Sequence, residues 1–218
     1  MKKIIGMMAA FVLCTFASSA EPRNDVSYRA KSGDNALLFK LRGLSDLGVD
    51  NFDGGIGYQY YFGGGNHVAL RLGLGANYSL ESQDKPEIGT KDYRNTVLGF
   101  SFYPGIRYNF GTSSNILAYM GTELIFAINN EKEEGRDFTD IIREEKANTY
   151  GAGFFLGAEW FVVRNVSLSA EYSLRFLYET ALEEITISGI KTKNEMPDKF
   201  SFGTGTSSLY FTIGFYFD

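Results

Sequence analysis

The stretch His67–Ser79, HVALRLGLGANYS, carries the pattern that decides the fold of this chain. Val68 and every second residue after it as far as Tyr78 are apolar, whereas the residues between them are small, polar or charged. An alternation with a period of two residues predicts a β-strand with one apolar face and one polar face. The stretches 166–178 and 209–217 repeat the alternation, so the pattern belongs to the whole chain and not to one segment.

The alternation predicts eight strands, joined by connections of two kinds. The strands are expected over 36–44, 54–62, 67–79, 96–110, 116–128, 149–162, 166–179 and 207–217. Short connections rich in Gly, Asn and Ser, typical of tight turns, lie at 63–66, 111–115 and 163–165. Longer charged connections lie at 45–53, 80–95, 129–148 and 180–206. Short turns that alternate with long loops are typical of an up-and-down barrel in an outer membrane.

The two faces of the strands favour a membrane barrel over a soluble sheet. A soluble sheet turns its apolar face to a core and its polar face to water. Here the apolar face of each strand is nearly free of charge, and aromatic residues gather at both strand ends, as they do where a barrel meets the two membrane surfaces. We therefore predict an all-β fold, an eight-stranded antiparallel up-and-down transmembrane β-barrel. A secreted β-sandwich or a lipocalin-like soluble barrel stays open as the alternative.

The first twenty residues predict an export signal. Lys2 and Lys3 precede the mostly apolar run 4–16, which is too short to span a bilayer, and the small residues that follow favour cleavage after Ala20. Leu13 stands before Cys14 where a lipoprotein signal needs a small side chain, so no lipid attachment is expected. We divide the chain into a cleaved signal peptide at 1–20, a short periplasmic N-terminal tail at 21–35 and an outer-membrane barrel domain at 36–218. The only cysteine falls in the predicted signal, so disulfides are not expected to stabilise the exported chain.

The composition excludes several classes of protein. Of the 218 residues, 44% are hydrophobic and 22% are charged, a balance that excludes a disordered chain. The net charge of −5 gives no support to nucleic-acid binding. The outer loops are acidic, and nothing in them identifies a ligand.

The chain resembles the eight-stranded outer-membrane β-barrel domain family of Gram-negative bacteria, the OmpA/OmpX-like group. The resemblance covers 36–217 and rests on the alternation, the exported start and the terminal strand LYFTIGFYF at 209–217. Such families end on an aromatic residue, whereas here Asp218 follows Phe217. The resemblance implies a place in the cell outer membrane. It also implies contact with outer-membrane lipids and lipopolysaccharide, and assembly by the barrel-assembly machinery.

Residues suited to catalysis or metal binding are few. Barrel enzymes of the outer membrane use a histidine. His67, the only one here, follows a predicted turn and is interpreted as a turn-flanking residue. The spacing of Asp46, Asp50, Asn51 and Asp53 does not fit a calcium loop. We predict that the protein is not an enzyme and has no catalytic, cofactor or metal site.

One constellation of charges is predicted on the inward face of the strands. An eight-stranded barrel has an interior only wide enough for side chains, so unpaired charges there are very costly. We interpret the cluster as a structural network of ion pairs that plugs the barrel, and the alternative is a path for protons or a small solute. Its members are Lys40, Arg42, Arg71, Arg107, Glu123, Glu159, Glu171, Arg175 and Glu179.

Two loop segments carry secondary-structure signals of their own. The alternation at 184–192 predicts that strands 7 and 8 extend above the membrane as a hairpin, and 139–146 is expected to form a short helix. We predict a non-enzymatic outer-membrane barrel for membrane integrity and for surface interaction or adhesion with an unidentified surface ligand through its long extracellular loops. A narrow, porin-like channel or carrier for a small solute or lipid is the alternative.

Overall fold

The computed structural model describes Ala30, 32–42, 55–62, 67–83, 93–110, 115–135, 141–203 and 209–217. Ten β-strands account for the regular structure of these residues. They are β1 (Asn35–Arg42), β2 (Gly55–Phe62), β3 (Val68–Gln83), β4 (Tyr93–Phe110), β5 (Ile116–Glu134), β6 (Ile141–Val163), β7 (Val166–Ile187), β8 (Ile190–Glu195), β9 (Lys199–Gly203) and β10 (Leu209–Phe217). Among these residues no helix has the length and apolarity needed to cross a membrane.

Eight of the strands form a closed ring of antiparallel pairs. β1 to β7 pair in chain order, β7 pairs with β10, and β10 pairs with β1. Closure gives every strand of the ring a neighbour on both sides, and a membrane barrel requires such pairing because lipid offers the backbone no alternative partners. The structure confirms the predicted all-β, eight-stranded antiparallel barrel. We call the end of the barrel with the connections 63–66, 111–114 and 164–165 the turn end, and the opposite end the loop end.

Burial alternates along the strands as the sequence pattern predicts. On β3, Ala69 and Arg71 are buried in the lumen, whereas Leu70 and Leu74 on the other face are exposed. The outward face is apolar over 68–78 of β3, 98–110 of β4, 116–128 of β5, 150–162 of β6 and 166–178 of β7. We call these outward faces the apolar band. The band begins at the turn end and stops where the outward residues become polar or charged.

β3 to β7 continue past the apolar band, and β8 extends this sheet. β1 and β2 have 8 residues each, whereas β6 has 23 and β7 has 22. Ser188 and Gly189, both with positive φ, turn β7 into β8 in a two-residue loop, so a hairpin is present at 184–192 as predicted. Its second arm is the additional strand β8, and the predicted last strand, 207–217, corresponds to β10. We call the parts of β3 to β7 beyond the band, together with β8, the projecting sheet.

The predicted short helix at 139–146 is wrong, because β6 begins at Ile141. The segment pairs with β5 on one side and with β7 on the other. Ladders on both sides override the weak helical preference of a short charged segment.

The turn end of the lumen is packed by side chains and by the chain before β1. The amide of Gly33 donates to the carbonyl of Tyr61 at 2.9 Å, and the amide of Tyr61 donates to the carbonyl of Asp34 at 3.0 Å. Ala30 is buried in a core with Ala36, Leu38, Tyr61, Ala69, Phe161 and Tyr216. The last residues of the segment that the sequence assigns to the tail therefore pack against the turn end of the barrel. The predicted signal peptide, 1–20, lies outside the described residues.

Candidate functional site

Arg107 and Glu159 form the ion pair nearest the turn end, and both are buried. Nη2 of Arg107 lies 2.5 Å from Oε2 of Glu159, and its Nε donates to Oδ1 of Asn109 at 2.7 Å. The guanidinium covers the ring of Tyr119, with Cζ 3.7 Å from the ring centroid. Each polar edge of this cation therefore has a partner inside a lumen that excludes water.

The carboxylate of Glu159 is held by hydroxyl groups as well as by Arg107. The hydroxyls of Ser167 and Tyr216 donate to its Oε1 at 2.5 and 2.6 Å. The hydroxyl of Tyr61 lies 3.3 Å from that of Tyr216 and extends the network across the lumen. We call Arg107, Asn109, Glu159, Ser167 and Tyr216 the lower cluster.

Glu171 is the centre of a second group, nearer the loop end. Its Oε1 accepts from Nζ of Lys40 at 3.0 Å, and its Oε2 accepts from Nη1 of Arg71 at 2.5 Å. The hydroxyl of Tyr119 also donates to Oε2, at 3.3 Å. Tyr119 thus touches both groups, through its ring below and its hydroxyl above.

Arg175 and Glu123 form the third pair, with Nη2 of Arg175 3.2 Å from Oε1 of Glu123. A row of direct partners crosses five successive strands, from β3 to β7. Its members are Arg71, Gly105, Glu123, Gly153 and Arg175. The two glycines leave room for the long charged side chains between them. A Cβ at Gly153 would lie 3.0 Å from Cγ of Glu123. We call Lys40, Arg71, Glu123, Glu171 and Arg175 the upper cluster.

Two predicted members of the network stand apart. Glu179 lies on the inward side of β7 beyond the upper cluster, and within the described part of the chain no ion pair includes it. Arg42 ends β1, and its side chain lies outside the described residues. Glu171 and Arg175, both on β7, take different partners.

Sequence reasoning missed the neutral half of the network. Tyr119, Asn109, Gln59 and Ser167 are buried on the inward face, and each except Gln59 donates or accepts at 3.3 Å or less within the two clusters. Their odd numbers place them on the inward side of their strands, so the alternation held the signal. The predicted cluster included only charged residues and therefore omitted these four.

The residues considered for catalysis form no reactive arrangement. His67 is exposed, its ring stacks on Tyr108 with centroids 5.9 Å apart, and its Nδ1 lies 3.1 Å from the carbonyl of Asn109. No group of three or more metal-binding side chains occurs among the described residues. Asp46, Asp50, Asn51 and Asp53 lie outside them.

The fold has a counterpart among solved structures. A major outer membrane protein from Thermus thermophilus superposes with a TM-score of 0.55 at 13% sequence identity, covering 84% of this chain and 99% of that chain. No protein-family model and no curated relative matches the chain. At this identity the similarity shows a shared fold, that of a barrel-like outer membrane protein.

Proposed function

We propose that the protein is a non-enzymatic barrel of the cell outer membrane that presents the projecting sheet for contact with a partner at the cell surface. The apolar band supports the location. Exposed side chains such as Leu74, Phe100 and Ile128 cover the wall, and lipid is the environment that fits a continuous apolar belt of this kind. A cleaved signal at 1–20 and the barrel-assembly machinery would deliver it, and lipopolysaccharide would surround its loop end.

The projecting sheet is the observation that carries the surface role. β6 and β7 each run nine residues past Tyr150 and Tyr178, the last aromatic residues of the band. At about 3.3 Å per residue this is roughly 30 Å along the strand. A barrel that only spans the bilayer needs about 9–11 residues per strand. The extra length supports a sheet that continues beyond the lipid and is available to a partner at the cell surface.

The projecting sheet also has unpaired edges. In the described part of the chain, residues 79–83 of β3, beyond the band, pair only with β4, and β8 pairs only with β7. Glu81 is the one charge in 79–83, and no Pro or Lys blunts this edge. An edge without such residues offers main-chain hydrogen bonds to an extended segment of a partner.

The packed lower cluster supports a barrel that does not conduct ions. Large side chains fill the lumen near the turn end. The largest fully buried side chains of the described residues include Tyr61, Tyr119, Phe155, Phe161 and Glu159. Purified protein in planar bilayers is expected to show no steady current. Large, stable, ion-selective currents would favour the channel alternative.

Single cysteines test location and orientation on intact cells. Ser188→Cys lies at the tip of the projecting sheet, and Arg164→Cys lies in the turn between β6 and β7. A membrane-impermeant maleimide is expected to label Ser188→Cys and to leave Arg164→Cys unlabelled until the outer membrane is opened. The reverse labelling pattern would show that the barrel has the opposite orientation in the membrane.

Removal of the hairpin tests the surface role. The amide of Met196 donates to the carbonyl of Ala181 at 3.0 Å, so a two-residue Asn-Gly turn can replace 182–195 without moving its ends. Cells with the wild-type protein are expected to adhere to one another and to matrix-coated surfaces more than cells with the shortened variant. Equal adhesion at equal surface levels would reject the surface role.

A further inference from the structure

We infer that the loop-end half of the lumen contains a binding site for an anionic oxygen group, a carboxylate or a phosphate. The site is a cavity of about 50 Å³ lined by four charged residues of the upper cluster, Lys40, Arg71, Arg175 and Glu123, together with Tyr103 and Tyr210. By the same measure one water occupies about 10–15 Å³, so the cavity accepts a group of about three to five heavy atoms. This inference is independent of the surface role proposed above.

The charge around the cavity is unbalanced. The side chains of Lys40, Arg71 and Arg175 are positive, and the carboxylates that pair them belong to Glu123 and Glu171. One positive charge is left over among these five side chains. An excess cation at a site of low dielectric is stabilised by a bound anion.

Hydrogen-bond donors are in excess as well. Nζ of Lys40 has three protons and donates to Oε1 of Glu171. The guanidinium of Arg175 has five N–H donors. Its Nη2 donates to Glu123 at 3.2 Å, and its buried Nε has no hydrogen-bond partner among the described residues. Carboxylate and phosphate oxygens are the acceptors that such donors prefer.

The cations are held in place by aromatic rings. Nζ of Lys40 lies 4.0 Å from the ring centroid of Tyr210, and Cζ of Arg175 lies 5.2 Å from the same centroid and 5.5 Å from that of Tyr103. Both cations border one ring, so they face the cavity from fixed positions. Such preorganisation reduces the free energy lost on ordering the side chains when an anion binds.

The residues that line the cavity allow two sources for the anionic group. Ile56 and Leu74 line it, and they are direct partners on the outward faces of β2 and β3. Their exposed fractions are 49% and 59%. A free anion would bind to the cations alone, whereas the headgroup of an amphiphile would bind with its alkyl chain against Ile56 and Leu74 on the apolar wall.

Titration in dodecyl maltoside, a detergent without charge or phosphate, tests the site. Inorganic phosphate and dodecyl phosphate are added separately to ¹⁵N-labelled protein, and the amides of Gly57, Gly73 and Arg175 are followed by NMR. Saturable shifts confined to the cavity are expected. Equal affinity for the two probes assigns a small solute, and saturation by dodecyl phosphate alone assigns an amphiphile headgroup. Absence of saturable shifts with both probes overturns the inference.

Three variants make the titration specific. Lys40→Gln removes one donor while Glu171 keeps Arg71, and it is expected to weaken binding about tenfold. Lys40→Arg is expected to retain binding, and Lys132→Gln, the same charge change on the projecting sheet, is expected to leave it unchanged. If Lys40→Gln does not fold, Arg175→Gln takes its place. Equal weakening by Lys132→Gln would overturn the site, because the effect would then be that of net charge.

Discussion

The apolar band and the projecting sheet are built from the same strands but obey opposite rules. In the band, the outward side chains are apolar and the charges are buried in the lumen, where Glu171 and Glu159 are each 1% exposed. In the projecting sheet, the ion pairs Lys132–Glu134, 2.6 Å apart, and Lys146–Glu144, 3.2 Å apart, are partly exposed to solvent. The difference shows that strand pairing alone does not determine how much a side chain contributes to stability. The medium on each side of the sheet also determines this contribution.

Removal of a lumen carboxylate tests the comparison most strongly. Glu171→Ala leaves the buried Lys40 and Arg71 without their counter-charge, and we expect it to lower the free energy of unfolding by about 3–5 kcal/mol. Glu134→Ala removes the partner of Lys132, a half-exposed pair in the projecting sheet, and is expected to cost about 0–1 kcal/mol. Denaturant unfolding in detergent measures both values. Equal losses would show that the lumen is as hydrated as the projecting sheet.

A charge on the outward face should distinguish lipid from water. Leu72 lies in the middle of the band on β3, and Leu72→Arg is expected to cost about 2–4 kcal/mol at the bilayer midplane. Ile142→Arg, outward on the projecting part of β6, is expected to change stability by less than about 0.5 kcal/mol. Folding titrations in lipid vesicles measure both. The inward neighbour Gly73→Ser is expected to be tolerated better than Leu72→Arg, and equal tolerance would mean that the faces are reversed.

Packing density inside the ring is a third point of contrast. A Cβ at Gly121 would collide with the carbonyl oxygen of Ile106 and the ring of Phe155, so Gly121→Ala is expected to cost about 1–3 kcal/mol. A Cβ at Gly203, on β9, would have nothing within 4 Å. Gly203→Ala is therefore expected to be neutral or slightly stabilising. Thermal unfolding of the two variants compares them, and tolerance of Gly121→Ala would indicate a looser lumen.

The smallest effect is expected from an exposed ion pair. The hydrogen bond and charge of Lys146 lower the pKa of Glu144 below its ordinary value. Because the folded-state pKa is lowered, the pair stabilises the fold above the unfolded pKa of about 4.3 and loses this contribution as the pH falls through the folded pKa. Lys146→Met is expected to raise the pKa of Glu144 toward its ordinary value and to cost no more than about 0.5 kcal/mol. NMR titration of the side-chain carboxyl carbon follows the pKa, and an unchanged value would assign the shift to another neighbour.

The sequence by itself determined the eight strands of the ring, their faces and their antiparallel order. An alternation with period two is a local property, and each residue of His67–Ser79 reports its own face. The position of Arg71, Arg107, Glu123, Glu159, Glu171 and Arg175 on the inward face followed from the same count. The hairpin of β7 and β8 also followed, because its alternation and its Ser-Gly turn are local signals.

Only the tertiary structure decided which charges meet, how far the strands extend and where space remains in the lumen. Lys40 and Glu171 are 131 residues apart, and their contact depends on ring closure and on the register of strands that the sequence pattern does not link. The same holds for β6, whose first residues become a strand because β5 and β7 pair with them on both sides. β9 lies in line with β10 along β7, although the pattern gave only one last strand. Pairing across a sheet is a non-local interaction, so its partners are fixed only when the whole ring forms.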